Sequence, residues 1–244
     1  MQLELDRYRQ IVVLTGAGVS VASGLRPYRG PGGWWTDHPE HREMATAKAA
    51  QADPMSSWHA FASLRGAVAQ ASPNPAHLAL AQAEAGRPAG TMLTVITQNI
   101  DGLHRAAGST RVIELHGNLS RTRCTNPTCD LDPFDDHAVP ETLPRCTRCD
   151  APLRPDVVLF DEPMAARPEW ESKQVLRDCD LFLAVGTSGT VSPAANFVRS
   201  AEYAGARTIF VNVEPLVPPN PAFSETVLGP AESVLPRLLG TSKT

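Results

Sequence analysis

The sequence has no long hydrophobic run, and this limits where the protein can act. Its longest apolar stretches, such as Leu181–Val185, have the length of a β-strand. A membrane-spanning helix needs about 20 apolar residues. The N-terminal segment MQLELDRYRQ is charged and lacks the apolar core of a signal peptide. We therefore expect a cytoplasmic protein that does not enter a membrane.

The sequence also lacks a dominant charge of either sign. Its 22 basic and 26 acidic residues give a net charge of -4, and no part of the chain forms a basic stripe. This pattern does not suggest nucleic-acid binding. The 244 residues, 42% of them hydrophobic, suit one large globular domain or a large domain carrying a small one. We expect a monomer.

Cysteine is scarce, and its spacing is informative. Four of the five cysteines form two pairs, and Cys179 stands alone before an apolar run. In a cytosolic protein, paired cysteines indicate a metal site before a disulfide. Four thiolates would complete a tetrahedral zinc site and leave no position for water, so the zinc would be structural. The alternative is four unrelated cysteines. The proposed ligands are Cys124, Cys129, Cys146 and Cys149.

Short runs rich in Val, Ile and Leu predict buried parallel strands. These runs are Ile11–Leu14, Met92–Ile96, Val112–Leu115, Val157–Phe160, Leu181–Val185 and Ile209–Val213. Alanine-rich helical stretches lie between some of them, at His77–Ala85 and Ala194–Ala204. The alternation predicts an α/β fold, namely a Rossmann-like parallel sheet with helices on both faces.

Two segments interrupt this alternation. Residues 31–75 carry tryptophans and weak helical patterning, and residues 120–155 carry the cysteine pairs and many prolines. We interpret them as a small helical module and a zinc-binding module. The predicted division assigns residues 1–35, 76–119 and 156–244 to the Rossmann-like domain, and residues 36–75 and 120–155 to a small domain.

The turn after the first strand resembles a phosphate-binding turn. Gly16 and Gly18 would let the backbone approach a pyrophosphate, but Val21 replaces the third glycine of the dinucleotide fingerprint. A plain tight turn is the alternative. The acid expected about 20 residues later is also missing, because Asp37 lies outside any strand. Asn212 and Glu214, which follow the last predicted strand, are better candidates for binding a ribose. Arg29 follows the glycine turn and supplies a cation that suits phosphate.

Polar residues follow three further strands, where ligands of parallel sheets bind. The run Gln98-Asn99-Ile100-Asp101 offers amides and a carboxylate that suit ribose hydroxyls and a carboxamide. An Asx-turn is the alternative. His116 could act as a base, with His104 as its rival. Gly186-Thr187-Ser188-Gly189 offers a second phosphate or ribose contact.

These segments occur in an order that resembles the sirtuins, which are NAD-dependent protein lysine deacylases. The resemblance rests on GAGVSVASGLRPYRG, TQNIDGLH, ELHG, the two cysteine pairs, VVLF, VGTSGTVSPA and VNVEP. It covers the chain from about Ile11 to Pro236. It implies a large Rossmann-like domain and a small zinc domain, with NAD and an acyl-lysine protein substrate meeting between them. GPGGWW resembles the bacterial class III members.

The resemblance also implies roles for individual residues. His116 matches the catalytic base, and Asn99 and Asp101 match the pocket where nicotinamide is cleaved. Other positions match NAD contacts: Gly16, Ala17, Gly18, Ser20, Tyr28, Arg29, Gln98, Gly186, Thr187, Ser188, Asn212 and Glu214. The substrate peptide would pair with the segment Val157, Val158, Leu159 and Phe160. The products implied are nicotinamide, free lysine and O-acyl-ADP-ribose.

Some positions depart from the family pattern. Pro27 replaces a residue that is commonly Asp or Thr, and Asp161 stands where glycine is usual. Phe61 and Leu64 occupy the positions of a Tyr-x-x-Arg pair that binds succinyl groups in some members, and Arg65 lies one residue away. An apolar pocket favours acetyl or another uncharged acyl group. Rival functions are ADP-ribosyl transfer, NAD hydrolysis and non-catalytic NAD sensing.

Overall fold

The computed structural model describes residues 1–28, 32–189 and 193–241. Its strands are β1 (Gln10–Thr15), β2 (Met92–Thr97), β3 (Val112–Glu114), β4 (Gly117–Cys124), β5 (Phe134–Asp135), β6 (Leu153–Val157), β7 (Leu181–Val185), β8 (Arg207–Asn212) and β9 (Glu225–Leu228). Its helices are α1 (Trp34–Asp37), α2 (Pro39–Met44), α3 (Ala47–Ala52), α4 (Ser56–Gln70), α5 (Pro75–Ala85), α6 (Leu103–Ala106), α7 (Ala166–Arg177), α8 (Phe197–Tyr203) and α9 (Ala231–Leu238).

Six strands form one parallel sheet in the order β3-β2-β1-β7-β8-β9. The chain builds outward from β1 to β3, then returns to the other side of β1 to place β7, β8 and β9. The strand order therefore reverses between β1 and β7. A crevice opens beyond the carboxyl ends of the strands at such a reversal. The predicted Rossmann-like sheet is confirmed.

Alternate side chains of the central strands enter two separate cores, which is why these strands are apolar throughout. On one face, Ile11 and Val13 pack with residues of α5 and α9. On the other face, Val12 and Leu14 pack with residues of α7 and α8. The sheet is therefore covered by helices on both faces, as predicted.

The predicted strand Val157–Phe160 is wrong. The strand at this point is β6, which ends at Val157 and pairs antiparallel with β4 in a separate sheet of order β5-β4-β6. Phe160 instead forms a bridge with Thr46 of the helical module. An apolar run shows that a segment is buried, but it does not show which sheet receives it.

Helices α1 to α4 form the predicted helical module, and α4 fixes it to the small sheet. Trp58 Nε1 donates a hydrogen bond of 3.0 Å to the carbonyl oxygen of Leu153 in β6, with both groups buried. The helical and cysteine-containing segments thus pack together. We propose that they form the small domain predicted from the sequence, although β4 and β6 extend a few residues across the proposed boundaries.

Other elements gave weaker sequence signals. β9 was missed because its residues alternate between half-buried and exposed at the sheet edge. β4 was missed because its apolar residues do not alternate regularly. In the part of the chain that the structure describes, no helix is both long enough and apolar enough to cross a membrane.

Candidate active site

A cavity of about 810 Å³ lies at the carboxyl ends of the central strands. The residues that follow β1, β2, β3, β7 and β8 form one wall, and the helical module and the segment after β6 form the opposite wall. The first wall includes Gly16, Ala17, Gly18, Gln98, Asn99, His116, Gly186, Thr187, Ser188, Asn212 and Glu214. All of these were predicted as site residues, and the fold brings them together.

The two glycines after β1 are required by packing between strand ends. A Cβ atom on Gly16 would lie 2.7 Å from the carbonyl oxygen of Gly186, and one on Gly18 would lie 2.7 Å from the Gly186 Cα. The amide of Gly18 donates to the Gly186 carbonyl at 2.9 Å. The element that follows is a 3-10 helix, Ala17–Ser23. Both glycines still line the cavity, so the turn can face a ligand as well.

Asn99 is held rigidly with one hydrogen-bonding atom to spare. Its Nδ2 donates to the Gly16 carbonyl at 3.1 Å and to Ser20 Oγ at 3.2 Å, and its own amide donates to Thr97 Oγ1. Its Oδ1 is buried and has no partner among the described residues. A buried acceptor without a partner is costly, so Oδ1 is suited to accept a hydrogen bond from a bound ligand.

Asp101 and Ser20 meet in a small pocket beside the main cavity, which Asn99 also lines. Ser20 Oγ donates to Asp101 Oδ2 at 2.7 Å. Burial raises the pKa of Asp101, against opposing hydrogen bonds from Leu103 and Ser20. Burial, and then the charge of Asp101, raises the pKa of Tyr28, whose ring lines both cavities. Asn99 and Asp101, which the resemblance assigns to the nicotinamide site, thus line one pocket.

His116 has the geometry of a general base. Its Nδ1 lies 2.8 Å from the carbonyl oxygen of Gln98, so Nδ1 carries the proton and Nε2 is left as the basic nitrogen. Burial lowers the pKa of His116, while the hydrogen bond to Gln98 opposes that shift. The imidazole is therefore neutral near pH 7. Gly117 follows with a φ of +83°, which favours glycine, and a Cβ atom there would also collide with the Asp156 carbonyl oxygen of β6.

His104, the rival base, lies behind the wall and not in the cavity. It is buried, its Nε2 is 2.9 Å from Thr15 Oγ1, and its ring packs 4.8 Å from that of His77. Burial, and then the neighbouring His77, lowers the pKa of His104 to about 3. Burial lowers the pKa of His77 to about 4. Both are neutral interior groups.

Hydrogen bonds across the strand ends join the remaining predicted polar residues. Gln98 Nε2 donates to Thr187 Oγ1 at 3.0 Å, and Asn212 Nδ2 donates to the Thr187 carbonyl at 3.4 Å. Asp37, the rejected ribose candidate, instead forms an ion pair with Arg26. Arg29 lies outside the described residues.

The opposite wall is aromatic, and its central residue was missed. Trp35 stacks on Tyr28 with ring centroids 5.8 Å apart, and it meets Phe61 and Phe160 edge-on at 6.2 and 5.7 Å. All four rings line the cavity. The tandem tryptophans in GPGGWW were the available signal, but their contacts depend on how α1 packs.

The four paired cysteines converge as predicted. Their sulfurs lie within 4.8 Å of one another, with Cys124–Cys149 and Cys129–Cys146 at 3.6 Å. Four Zn–S bonds of about 2.3 Å in a tetrahedron place sulfurs about 3.8 Å apart. The cluster therefore fits a zinc ion with four protein ligands. Cys179 is a buried core residue, also as predicted.

The Sir2 family model matches residues 16–193. The NAD-dependent protein deacylase 2 of Pyrobaculum aerophilum is 43% identical over 231 residues, covering 95% of this chain and 90% of that protein. This chain belongs to the Sir2 family. The crystal structure of a Sir2 homolog–NAD complex has a TM-score of 0.85 at 34% identity and covers 97% of this chain and 90% of that one. A structure of Sir2Tm bound to a propionylated peptide has a TM-score of 0.80 at 26% identity, with coverages of 97% and 94%.

Arg65 of this Sir2 protein faces away from the cavity. It is 3% exposed, and its guanidinium donates to the Asp136 carbonyl and lies 3.4 Å from the Asp136 carboxylate. It also lies over the Trp58 ring at 5.2 Å. Arg65, which is one residue from the position matched to the arginine of the Tyr-x-x-Arg pair, therefore supplies no cation to the acyl pocket. No lysine or arginine among the described residues lines the cavity.

Phe61 and Leu64 face two neighbouring pockets. Phe61 lines the main cavity, and Leu64 lines the small pocket with Asp101. Both are buried in one apolar cluster of the helical module. The two positions thus add apolar surface and no charge to this side of the Sir2 site.

Three residues of the predicted peptide-pairing segment reach the cavity: Val158, Leu159 and Phe160. Val157 is buried in the core of the helical module. The amide of Val158 donates to the His116 carbonyl at 3.0 Å, and the backbone of Phe160 bonds to Ala45 and Ala47. Asp161 has a φ of +66°, a conformation that favours glycine, which is the residue that the resemblance led us to expect there.

Proposed function

We propose that this Sir2 protein is an NAD-dependent protein lysine deacylase. The observation that carries the proposal is the placement of His116, a neutral imidazole with Nδ1 tied to the Gln98 carbonyl and Nε2 free to take a proton inside the cavity. A module that only bound NAD would not need a base fixed in this way.

NAD would lie along the strand-end wall. Gly16, Gly18 and Gly186 would allow close approach of a pyrophosphate, and Asn212 and Glu214 would contact ribose hydroxyls. When bound, NAD would supply a ribose that loses nicotinamide and accepts the acyl group. The acyl group would then leave the site as O-acyl-ADP-ribose. We assign Ala17, Ser20, Tyr28, Gln98, Thr187, Ser188 and Arg29 as further contacts.

Asn99 and Asp101 would bind and orient the nicotinamide. The unpartnered Oδ1 of Asn99 would accept from the carboxamide, and Asn99 is held in place by Gly16 and Ser20. Positive charge develops on the ribose as nicotinamide leaves, so fixed oxygen atoms beside it stabilise the transition state. The acyl oxygen of the acyl-lysine would displace nicotinamide at C1′ of the ribose. His116 would then deprotonate a ribose hydroxyl, which would add to the imidate carbon, and water would complete the release of free lysine and O-acyl-ADP-ribose.

The aromatic wall would hold the acyl-lysine, with Val157–Phe160 beside the bound peptide. Burying a carboxylate without a partner costs several kcal/mol, and no cation among the described residues lines this wall. We therefore propose that the preferred acyl group is acetyl or another uncharged group. The four cysteines would hold structural zinc.

We further propose that the enzyme acts as a monomer in the cytoplasm. Cysteines arranged as metal ligands, with no disulfide among the described residues, support a reducing compartment. Size-exclusion chromatography with light scattering would test the monomer.

Nicotinamide release, with and without an acetyl-lysine peptide, tests the central proposal. We expect release that depends on the peptide and matches the deacetylated product mole for mole. Equal release without peptide would indicate an NAD hydrolase instead. Labelled ADP-ribose on an unacylated protein would indicate an ADP-ribosyltransferase, and NAD binding without any turnover would indicate a sensor.

A further inference from the structure

Two histidines and a glutamate meet where α1 is followed by α2. His38 lies between the two helices, and Glu40 and His41 lie in the first turn of α2. One nitrogen or oxygen atom from each lies within 4.8 Å of the others, and His38 Nδ1 is 3.4 Å from Glu40 Oε1. The proposed deacylase reaction uses none of these residues.

Packing against Trp34 holds both imidazoles in place. The Trp34 ring lies 5.1 Å from that of His38 and 5.7 Å from that of His41, and the two imidazoles stack 5.1 Å apart. The His41 Nδ1 is buried and has no hydrogen-bond partner among the described residues. The rings are therefore preorganised, which reduces the entropy lost when a ligand binds both.

The charges around the group favour a cation. The Glu40 side chain is 60% exposed, and an exposed glutamate is ionised at neutral pH, so the group carries one negative charge. The nearby cations are engaged elsewhere. Arg26 pairs with Asp37, and the Arg42 guanidinium lies 5.1 Å above the Phe160 ring.

We propose that His38, Glu40 and His41 bind a divalent transition-metal ion at a site separate from the four-cysteine cluster. Two imidazoles and one carboxylate suit ions such as Zn²⁺, Ni²⁺ and Cu²⁺. Metal–ligand bonds of about 2.1 Å would bring the donor atoms about 3.0 to 3.4 Å apart. Small side-chain movements achieve this, because the Glu40 side chain is 60% exposed and that of His38 is 38% exposed.

The exposure of these side chains determines how tightly the site would hold a metal ion. Water would fill the remaining coordination positions, so binding would be reversible, unlike binding by four thiolates. The site also lies behind the aromatic wall. The Trp34 amide donates to the Pro27 carbonyl at 2.7 Å, and the next residue, Trp35, lines the cavity. A bound metal would therefore be reported by Trp34 fluorescence without occupying the substrate cavity.

The test is equilibrium dialysis of the full-length, untagged protein against low-micromolar Zn²⁺, with zinc per chain measured by mass spectrometry. The wild-type protein should bind a second equivalent beyond that of the four cysteines. The variant H38A/H41A should keep the first equivalent and lose the second. The matched control H59A/H137A also removes two histidines, both exposed and outside the group, and should keep both equivalents.

A second variant tests the same site without removing either imidazole, so the test does not depend on correct folding of H38A/H41A. Glu40→Gln keeps both imidazoles and their stacking, and it should raise the dissociation constant of the second zinc about tenfold. Ni²⁺ should quench tryptophan fluorescence in the wild type and control but not in H38A/H41A. A wild-type protein with one equivalent, or a second equivalent that survives in H38A/H41A, would overturn the proposal.

Discussion

The two walls of the cavity are built in different ways. The strand-end wall is polar, and its residues come together because parallel strands all end at one edge of the sheet. The aromatic wall comes from helices α1 and α4 and from two loops, which belong to no common sheet, so its shape depends on packing between Tyr28, Trp35, Phe61 and Phe160. The comparison suggests that the first wall carries the chemistry and the second selects the acyl group.

The largest expected effect concerns the base on the polar wall. His116→Ala should lower kcat for deacylation by about 10²- to 10⁴-fold, because proton transfer by a positioned base contributes that much. The dissociation constant of ADP-ribose, measured by calorimetry, should change little. His59→Ala, which removes an exposed histidine that does not line the cavity, is the control. Near-normal turnover in His116→Ala would remove this residue from the mechanism.

The free energy of unfolding should also fall in acid, because two neutral imidazoles are buried behind the polar wall. The folded-state pKa values of about 4 for His77 and about 3 for His104 lie below the ordinary value of 6.5. Between pH 6.5 and about pH 4, these imidazoles bind more protons in the unfolded chain than in the folded chain. The free energy of unfolding therefore falls as the pH falls below 6.5. By pH 5 each imidazole should cost about 2 kcal/mol.

Urea unfolding at pH 7 and pH 5 measures this effect. His104→Gln should lose about half of the acid-dependent fall in the free energy of unfolding that the two histidines cause. His137→Ala, in which an exposed histidine is removed, should retain all of it. An identical pH dependence in His104→Gln and the wild type would contradict the assignment.

A smaller effect is expected on the aromatic wall. Trp35→Ala should lower kcat/KM for an acetyl-lysine peptide about tenfold, because one large apolar contact with the substrate is lost. ADP-ribose binding should be preserved, since Trp35 lies opposite the strand ends. Trp170→Ala is the control, because Trp170 is 62% exposed on α7. Equal losses in the two variants would show that Trp35 has no specific role.

The smallest effect is a displacement of the pH profile. Burial lowers the pKa of His116, so the base remains neutral at lower pH than an ordinary histidine. Activity should therefore rise with pH along a limb whose midpoint lies below 6.5. A profile of kcat/KM against pH, restricted to the range where the protein stays folded, measures the midpoint. A midpoint above 6.5 would contradict the burial argument.

The strand-end wall could be predicted from the sequence because its information is local. Five of the six apolar runs mark strands of the parallel sheet, and the polar residues after them face the shared edge, which is how Asn99 and His116 were found. The four cysteines were equally local, since their spacing alone indicates a metal site. The reason for Gly16 and Gly18 needed the structure, which shows that Gly186 fills the space beside them. The choice of His116 over His104 also needed it, because only His116 lines the cavity.

The aromatic wall could not be predicted in the same way. Trp35 reaches the cavity through the packing of a four-residue helix, and no periodicity marks such a contact. The run Val157–Phe160 was assigned to the wrong sheet because burial alone does not identify a strand's neighbours. The direction of Arg65 was also open until the structure paired it with Asp136.

The ratio of kcat/KM for acetyl-lysine and succinyl-lysine versions of one peptide tests the two-wall account most directly. The account predicts that the acetyl peptide is turned over at least about 100-fold more efficiently, because no lysine or arginine among the described residues lines the cavity to pair with a buried succinyl carboxylate. A succinyl peptide that is turned over faster than the acetyl peptide would contradict the account.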